Sequence, residues 1–514
     1  MSSSLSASLS KSLKQVGQLS AEKRKLLEAL LKEQGIDPLQ VLPIPRRRDS
    51  RSGPLSFAQQ RLWLVERFTP GGGFYNIPSG MRFEGRVNVL TVEQTLNEIV
   101  RRHEILRTAI QVIDGQPLQI IETELRPDFS YVDLSTLDES VKKTVAERVI
   151  REQTQKLFDP SRGSMLRATL VALGPSDHLM VIILHHLVTD AWSNSLLISE
   201  MGQLYQSFRQ GLPSALPELP VQYADYAEWQ RQWEQHETLD AQLHYWTTQL
   251  AGAPRRLELP TDHPHPPFRT FRREHRAFTW PLELSTAINA LGRTENVTLF
   301  MILLAAYQVL LHRYTGQGRI SVGSPVANRR RSETRSLIGC FINIVVLCTD
   351  LQGNPTFREL LQRVREVTLG AYAHQDVHFE QLVKALQPER DPTHTPLVQA
   401  TFTLQNVPLE SPQMSGLTFR PVDVGIPAVE HDMSLIMDSR ENILSGVLVY
   451  NSDLFEAGTI DRMLIHLRAT LEQATSDPDI AILRIDLPGS SATAGGEQNN
   501  RQTSDEAEEF VFGT

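Results

Sequence analysis

The stretch His178-Leu-Met-Val-Ile-Ile-Leu184, followed by His185-His-Leu-Val-Thr-Asp-Ala-Trp-Ser193, decides how this chain is read. Residues 178–184 are apolar on both faces, the pattern of a strand buried on both sides in the middle of a sheet. Residues 192–209 then place Leu196, Leu197, Met201, Leu204 and Tyr205 on one side of a helix. Between strand and helix lies a short turn that carries all the notable chemistry. Adjacent histidines at a strand end point to opposite faces, so one serves the structure while the other faces a cavity. Asp190 stands just before the helix, where a carboxylate caps the N-terminus or pairs with a buried arginine. A lone core histidine is usually structural, but two histidines and an aspartate at such a turn form a catalytic constellation. His186, His185 and Asp190 are therefore the catalytic candidates. Metal binding is not expected, because adjacent strand side chains diverge and no third ligand has metal spacing.

Outward from that turn, helices and short apolar strands alternate. Residues 164–173 predict a strand joined to 178–184 through Gly174-Pro175-Ser176, and 93–106 predict a helix. Further on, 298–314 read as a buried helix, 319–323 and 341–349 as strands, and 456–475 as a late helix. This mixture means α/β or α+β. The stretch 253–271, rich in proline, histidine and arginine, marks a crossing between two lobes. Near the start, 20–36 predict a helix that Ser20 caps, with a Leu26, Leu27, Leu30, Leu31 stripe and Gly35 as its stop. The segment from Pro43 to Gly53, with Arg46, Arg47 and Arg48 in a row, reads as a solvated connector. The expected division is a leader (1–18), a helix (19–36), a basic linker (37–54), lobes at 55–255 and 256–487, and an acidic tail (488–514).

Composition bounds the function. The 514 residues are 40% hydrophobic, enough for large cores, and the net charge of −9 argues against a dominant nucleic-acid binder. Cys340 and Cys348 are too few for a disulfide framework or a zinc cage and read as core thiols of a reducing compartment. The longest apolar stretch, Leu299 to Leu311, is shorter than the ~20 residues a bilayer requires. The leader, with Leu5, Leu9 and Leu13 at helical spacing, has no secretory apolar block. A cytoplasmic protein is expected. No internal repeat of solenoid period is present. The last residues, Asp505 to Thr514, set Phe510, Val511 and Phe512 behind an acidic run, which reads either as a ragged terminus or as a short docking motif.

Several further segments line up in order. They are Ser56-Phe-Ala-Gln-Gln-Arg-Leu-Trp63, Arg102-His-Glu-Ile-Leu-Arg-Thr108, Tyr223-Ala-Asp-Tyr-Ala-Glu-Trp229, Ile338-Gly-Cys-Phe-Ile-Asn343, His374-Gln-Asp-Val-His-Phe-Glu380 and Arg390-Asp-Pro-Thr-His-Thr-Pro-Leu397. Together with the histidine turn, their order and spacing resemble the motif series of nonribosomal peptide synthetase condensation domains, from about Leu55 to Leu487. Each segment is weak alone; the series is specific. The resemblance implies two chloramphenicol-acetyltransferase-like lobes in a V with a tunnel between them. Donor and acceptor carrier proteins would deliver substrates on phosphopantetheine arms, with no bound cofactor and no metal, to what is by default a monomer.

By the same resemblance, His186 engages the attacking amine. Asp190 is structural and pairs with Arg107, and Ala191, Trp192 and Ser193 support the turn. Asn343 lies near the tunnel, and Ser324-Pro-Val-Ala-Asn328 on its latch side. The chain departs from the family pattern at Ala191, where glycine is usual and alanine is expected to tighten or slow the site. It also departs at Ile344, His378 and Cys348, where threonine, proline and arginine are frequent. A heterocyclising variant would carry aspartate in place of the histidines, and an epimerising variant would carry further signatures. The chain stops where an adenylation domain would usually begin, so carriers are expected in trans, with residues 505–514 as a recruiting motif. The competing expectations are a non-catalytic domain that recruits carriers or tailoring enzymes, and an acyl-CoA-dependent acyltransferase. No nucleophile elbow is present, which argues against a hydrolase.

Overall fold

The computed structural model describes residues 21–34, 41–68, 75–233, 237–270, 272–387, 391, 393–405, 416–422, 424–425, 430–440 and 442–489. The leader, the tail beyond Gly489 with its proposed docking motif, Ser20 and Gly35 lie outside them. The architecture is α/β, built on a five-stranded and a six-stranded sheet with a small three-stranded sheet at one side.

The apolar run 178–184 lies in the strand Asp177–His185, at the centre of the five-stranded sheet. It pairs antiparallel with Asn76–Glu84 on one side and with Leu166–Gly174 on the other. Its alternating side chains feed two separate cores. Leu179, Val181 and Ile183 pack with Leu134 and Ala146, whereas Met180, Ile182 and Leu184 join Leu96, Ile99 and Leu204. That is why no polar residue interrupts the run: each such side chain, fully buried, contributes roughly 1.5–3 kcal/mol. The strand is thereby held rigidly, and so is the turn at its end.

The six-stranded sheet runs in the order Asn343–Asp350, Arg319–Val326, Ala400–Gln405, Met433–Arg440, Ile443–Asn451, Arg273–Thr279. Against it lies the helix Leu299–Thr315, buried continuously from Met301 to Leu311. The Thr298 side chain caps its start by accepting from the Met301 amide, and Gly316, at φ 69°, ends it in the left-handed conformation. This is the longest apolar stretch of the sequence. Among the described residues no single helix is long and apolar enough to cross a membrane.

The two halves interlock. The strand Thr418–Val422 pairs with Asn76–Glu84 and so extends the sheet of the first half. Leu337, Ile338, Cys340 and Phe341 also belong to the first half's core. A division of the chain at 255 therefore does not divide the packing.

Two local expectations need correction. The helix read over 93–106 is two elements, Val89–Arg102 and a single 3-10 turn, Glu104–Arg107. Asn88 starts it early by capping the Thr91 amide, and His103 ends it with extended backbone. The basic segment is a solvated connector only in part: Arg46 and Arg48 are exposed, but Arg47 and Ser52–Pro54 are tied into the fold. Ser52–Pro54 pairs with Gln116–Ile121, and Arg47 is held by Glu104 at 2.6 Å and Asp225 at 2.8 Å. Its carboxylate partners come from distant segments, which a local reading of three consecutive arginines does not see. The early helix is Ala21–Glu33, with Leu26 and Leu30 exposed.

Candidate active site

His185 closes the central strand and His186 opens a single 3-10 turn, so their rings diverge as strand geometry demands. Both ring nitrogens of His185 are engaged. Nε2–H donates to Glu66 Oε1 at 3.0 Å, and Nδ1 accepts from the Leu187 amide at 3.2 Å. With the ring edge-on to Phe158, this histidine supports the turn.

His186 is the half-buried one. Its amide donates to the Tyr75 carbonyl at 2.8 Å, and Nδ1 lies 2.9 Å from the Thr189 carbonyl. A carbonyl can only accept, so Nδ1 carries the proton and the Nε2 lone pair is left for other chemistry. Burial pulls the imidazole below its usual range, partly opposed by the hydrogen bond to Thr189. It is a neutral base at pH 7.

Asp190 does both things its position allows. Oδ1 accepts from the Ser193 amide at 2.8 Å and caps the helix Ala191–Arg209, while Oδ2 accepts from the Phe341 amide at 3.0 Å. The carboxylate is also paired with a buried arginine, and that arginine is Arg329, at 3.1 Å. The expected partner, Arg107, donates instead to the Glu122 carbonyl and lies 3.8 Å from Glu104. The guanidinium of Arg329 also donates to the Leu337 carbonyl at 2.7 Å and Ser193 Oγ at 2.7 Å, and lies 4.0 Å from the Phe341 ring centroid. Ser193 Oγ in turn donates to the Gly339 carbonyl, and Trp192 Nε1 to the Arg335 carbonyl. Asp190 and its neighbours thus clamp the segment 329–341 beneath the turn.

Gly339 is obligatory in that clamp: a Cβ there would come within 2.0 Å of the Tyr223 ring. The Tyr223 hydroxyl bonds the Cys340 carbonyl and Ser56 Oγ, which ties three of the sequence motifs together. Cys340 brings its sulfur to 4.0 Å from His186 Nδ1, but burial pushes the thiol far above its usual range, so it is not a nucleophile.

The Asn343 side chain is committed to the backbone. Its Nδ2 donates to the Gln375 and Val377 carbonyls and its Oδ1 accepts from the Ile344 and Phe379 amides, which exhausts the side chain. Ser324 is buried opposite Val345 in the second sheet. Among the described residues no group of three or more histidines, cysteines or carboxylates is placed to hold a metal ion.

The family model Condensation domain matches residues 50–494. The chain belongs to the condensation-domain family of nonribosomal peptide synthetases. Among its relatives, a linear gramicidin synthase polypeptide of Brevibacillus parabrevis is 42% identical over 84% of the chain, which spans only 9% of that protein. Phosphinothricin tripeptide synthetase PhsC of Streptomyces viridochromogenes is 36% identical over 90% of the chain and 43% of its own length. Of solved structures, the X-domain from teicoplanin biosynthesis matches with a TM-score of 0.78 at 25% identity, over 86% of this chain and 98% of that one. The fold is thus the chloramphenicol-acetyltransferase-like fold of condensation domains.

In this condensation domain the helix after Asp190 begins at Ala191, the position where the resemblance leads one to expect glycine. That residue is exposed at the first helical position, and its φ is not positive. Glycine is therefore not needed for the backbone conformation there. Arg329 and Glu66 are the residues that sequence reasoning missed. Arg329 heads the run Arg329-Arg-Arg331, which reads locally as a charged surface, and Glu66 sits in an ordinary amphipathic helix.

Proposed function

We propose that this condensation domain joins a carrier-bound acyl or aminoacyl thioester to an amine, or less often an alcohol, with His186 as the group that handles the proton. The observation that carries the proposal is the hydrogen bond from His186 Nδ1 to the Thr189 carbonyl, which fixes the tautomer and leaves Nε2 as the acceptor. The amine lone pair attacks the thioester carbonyl, and Nε2 takes the proton that the nitrogen must lose. As the tetrahedral intermediate collapses, the C–S bond breaks, and the proton passes on to the leaving thiolate. The products are an amide and a free thiol. An amine nucleophile and a thiolate leaving group require no covalent enzyme intermediate, so positioning and exclusion of water supply much of the acceleration.

Asp190 acts in this reaction only by holding the turn against residues 329–341. The neutral resting state of His186 supports the assignment, since a protonated ring cannot accept. A non-catalytic recruiting role drew its support from Ala191, whose backbone has no need of glycine.

The test mixes the protein with acyl-loaded donor carriers and amine-bearing acceptor carriers and follows both by intact mass. Donor loss matched by acceptor gain, absent with His186→Ala, is the expected result. Carriers that bind without transfer to either protein would replace this reading with a recruiting one.

A further inference from the structure

The second half of the chain sends a carboxylate to the His186 site, and the reaction as described makes no use of it. Glu430 precedes the strand Met433–Arg440, and its side chain is 13% exposed. Its Oε1 accepts from the Tyr75 hydroxyl at 3.0 Å, and its Oε2 is paired with Arg61 at 2.5 Å. Tyr75 is also the residue whose carbonyl holds the His186 amide, and its ring stands edge-on to the His186 ring at 6.4 Å between centroids. Arg61 is shared with a second carboxylate, Glu380, at 3.0 Å. Arg61 therefore sits between two acids that both come from the other half of the chain.

We propose that Glu430 is a positioning residue for the His186 reaction: anchored on Tyr75 and Arg61, it fixes the imidazole edge and counterbalances the positive charge that the ring acquires on taking the amine proton. This rests on the reaction proposed above. Asp190 is committed elsewhere, to Arg329 and to the amides of Ser193 and Phe341. The Glu430 carboxylate can supply the counter-charge: it favours protonation of the ring, against the guanidinium of Arg61 that opposes it. It also requires the two halves to be seated together, so His186 is fully tuned only in the assembled fold.

The charged groups that face Glu430 come from every neighbouring element. Arg61 lies on the helix Phe57–Phe68, and Glu380 on Phe379–Leu386. Arg269 donates to the Glu430 carbonyl at 2.6 Å from the crossing segment, and His431 is held neutral by burial, at about 4. Arg61 opposes protonation of His186 and Glu430 favours it, while burial dominates both. Removing the Glu430 charge therefore makes His186 harder to protonate.

The experiment titrates the full chain with 13C-labelled histidine side chains by NMR, with the His186 signal assigned by its loss in His186→Ala. In Glu430→Gln the His186 midpoint should fall by roughly half a pH unit to one unit, as expected for one charge lost several ångströms away. In steady-state transfer the same variant should lower kcat, leave the acceptor KM unchanged and move the acid limb of the rate profile down with the midpoint. Tyr75→Phe leaves every charge in place but releases the carboxylate. It should give a smaller shift of the same sign, and it replaces Glu430→Gln if that variant does not fold. An unchanged or raised midpoint in the folded variants would overturn the proposal. The titration needs no substrate, so a chain that transfers nothing would refute the reaction while the midpoint still decides what Glu430 does to His186.

Discussion

Asp190 is tied to three groups by four hydrogen bonds: the amides of Ser193 and Phe341, and the guanidinium of Arg329 through both carboxylate oxygens. Its value is structural, and it depends on every partner being present. Removing one member of a buried pair leaves an uncompensated charge and costs roughly 3–5 kcal/mol. Arg329→Ala should therefore lower the unfolding midpoint severely, whereas Arg107→Ala, at a group bonded to a single carbonyl and a loose carboxylate, should cost under about 1 kcal/mol. Denaturant melts of the two variants side by side decide this; equal losses would return Arg107 to the role first expected of it. His186 and Asp190 are legible because they are close in sequence, on a turn whose strand and helix both announce themselves. Arg329 is 139 positions from Asp190, and its burial is a property of the assembled fold.

Among the elements, the doubly buried strand Asp177–His185 is readable because both of its faces obey one rule, and the buried helix Leu299–Thr315 for the same reason. Elements placed by contacts with the other half are not. The segment 332–341 reads as polar, with a short apolar end, yet it fills the first half's core beneath the histidine turn. His103 shows the same long-range control. It interrupts what looks like a continuous helix because its Nε2 is bound to Glu200 at 2.8 Å and its Nδ1 accepts from the Ile338 amide at 3.3 Å. The docking of 332–341 gives a sharp prediction. Gly339→Ala would push a methyl into Tyr223, and overpacking of this kind typically costs 1–3 kcal/mol, or roughly that much here. We expect reduced stability together with slower transfer, because the displaced segment carries the partners of Asp190. A Gly339→Ala protein with wild-type melting and turnover would mean that 332–341 does not brace the site.

For the molecule entire, the interlocking of the halves concentrates buried neutral histidines where they meet. Burial holds His378 down at about 3 and His431 at about 4, and it lowers His103 as well. In the unfolded chain each would titrate near 6.5. Below that pH the unfolded state binds protons that the native state refuses, so the stability they contribute is complete above about 6.5 and is lost as the pH falls towards 4. Unfolding midpoints measured from pH 8 down to pH 4.5 should therefore decline steadily below about 6.5, and the replacement His378→Gln should flatten the decline. A flat profile in the unsubstituted protein would mean that these rings are solvated.

Everything proposed for the chemistry depends on a neutral His186, its Nδ1 proton spent on Thr189, carrying the proton of an amide-forming transfer. The decisive experiment is a single-turnover reaction between loaded donor and acceptor carriers, followed by intact mass between pH 5 and 8 for the unsubstituted protein and for His186→Ala. The rate should be level above the folded midpoint of His186, which lies below 6.5, and should fall as the pH drops through it. The variant should lose roughly 100- to 10,000-fold at every pH, with melting unchanged. Equal rates in the two proteins across that range would contradict the assignment of His186.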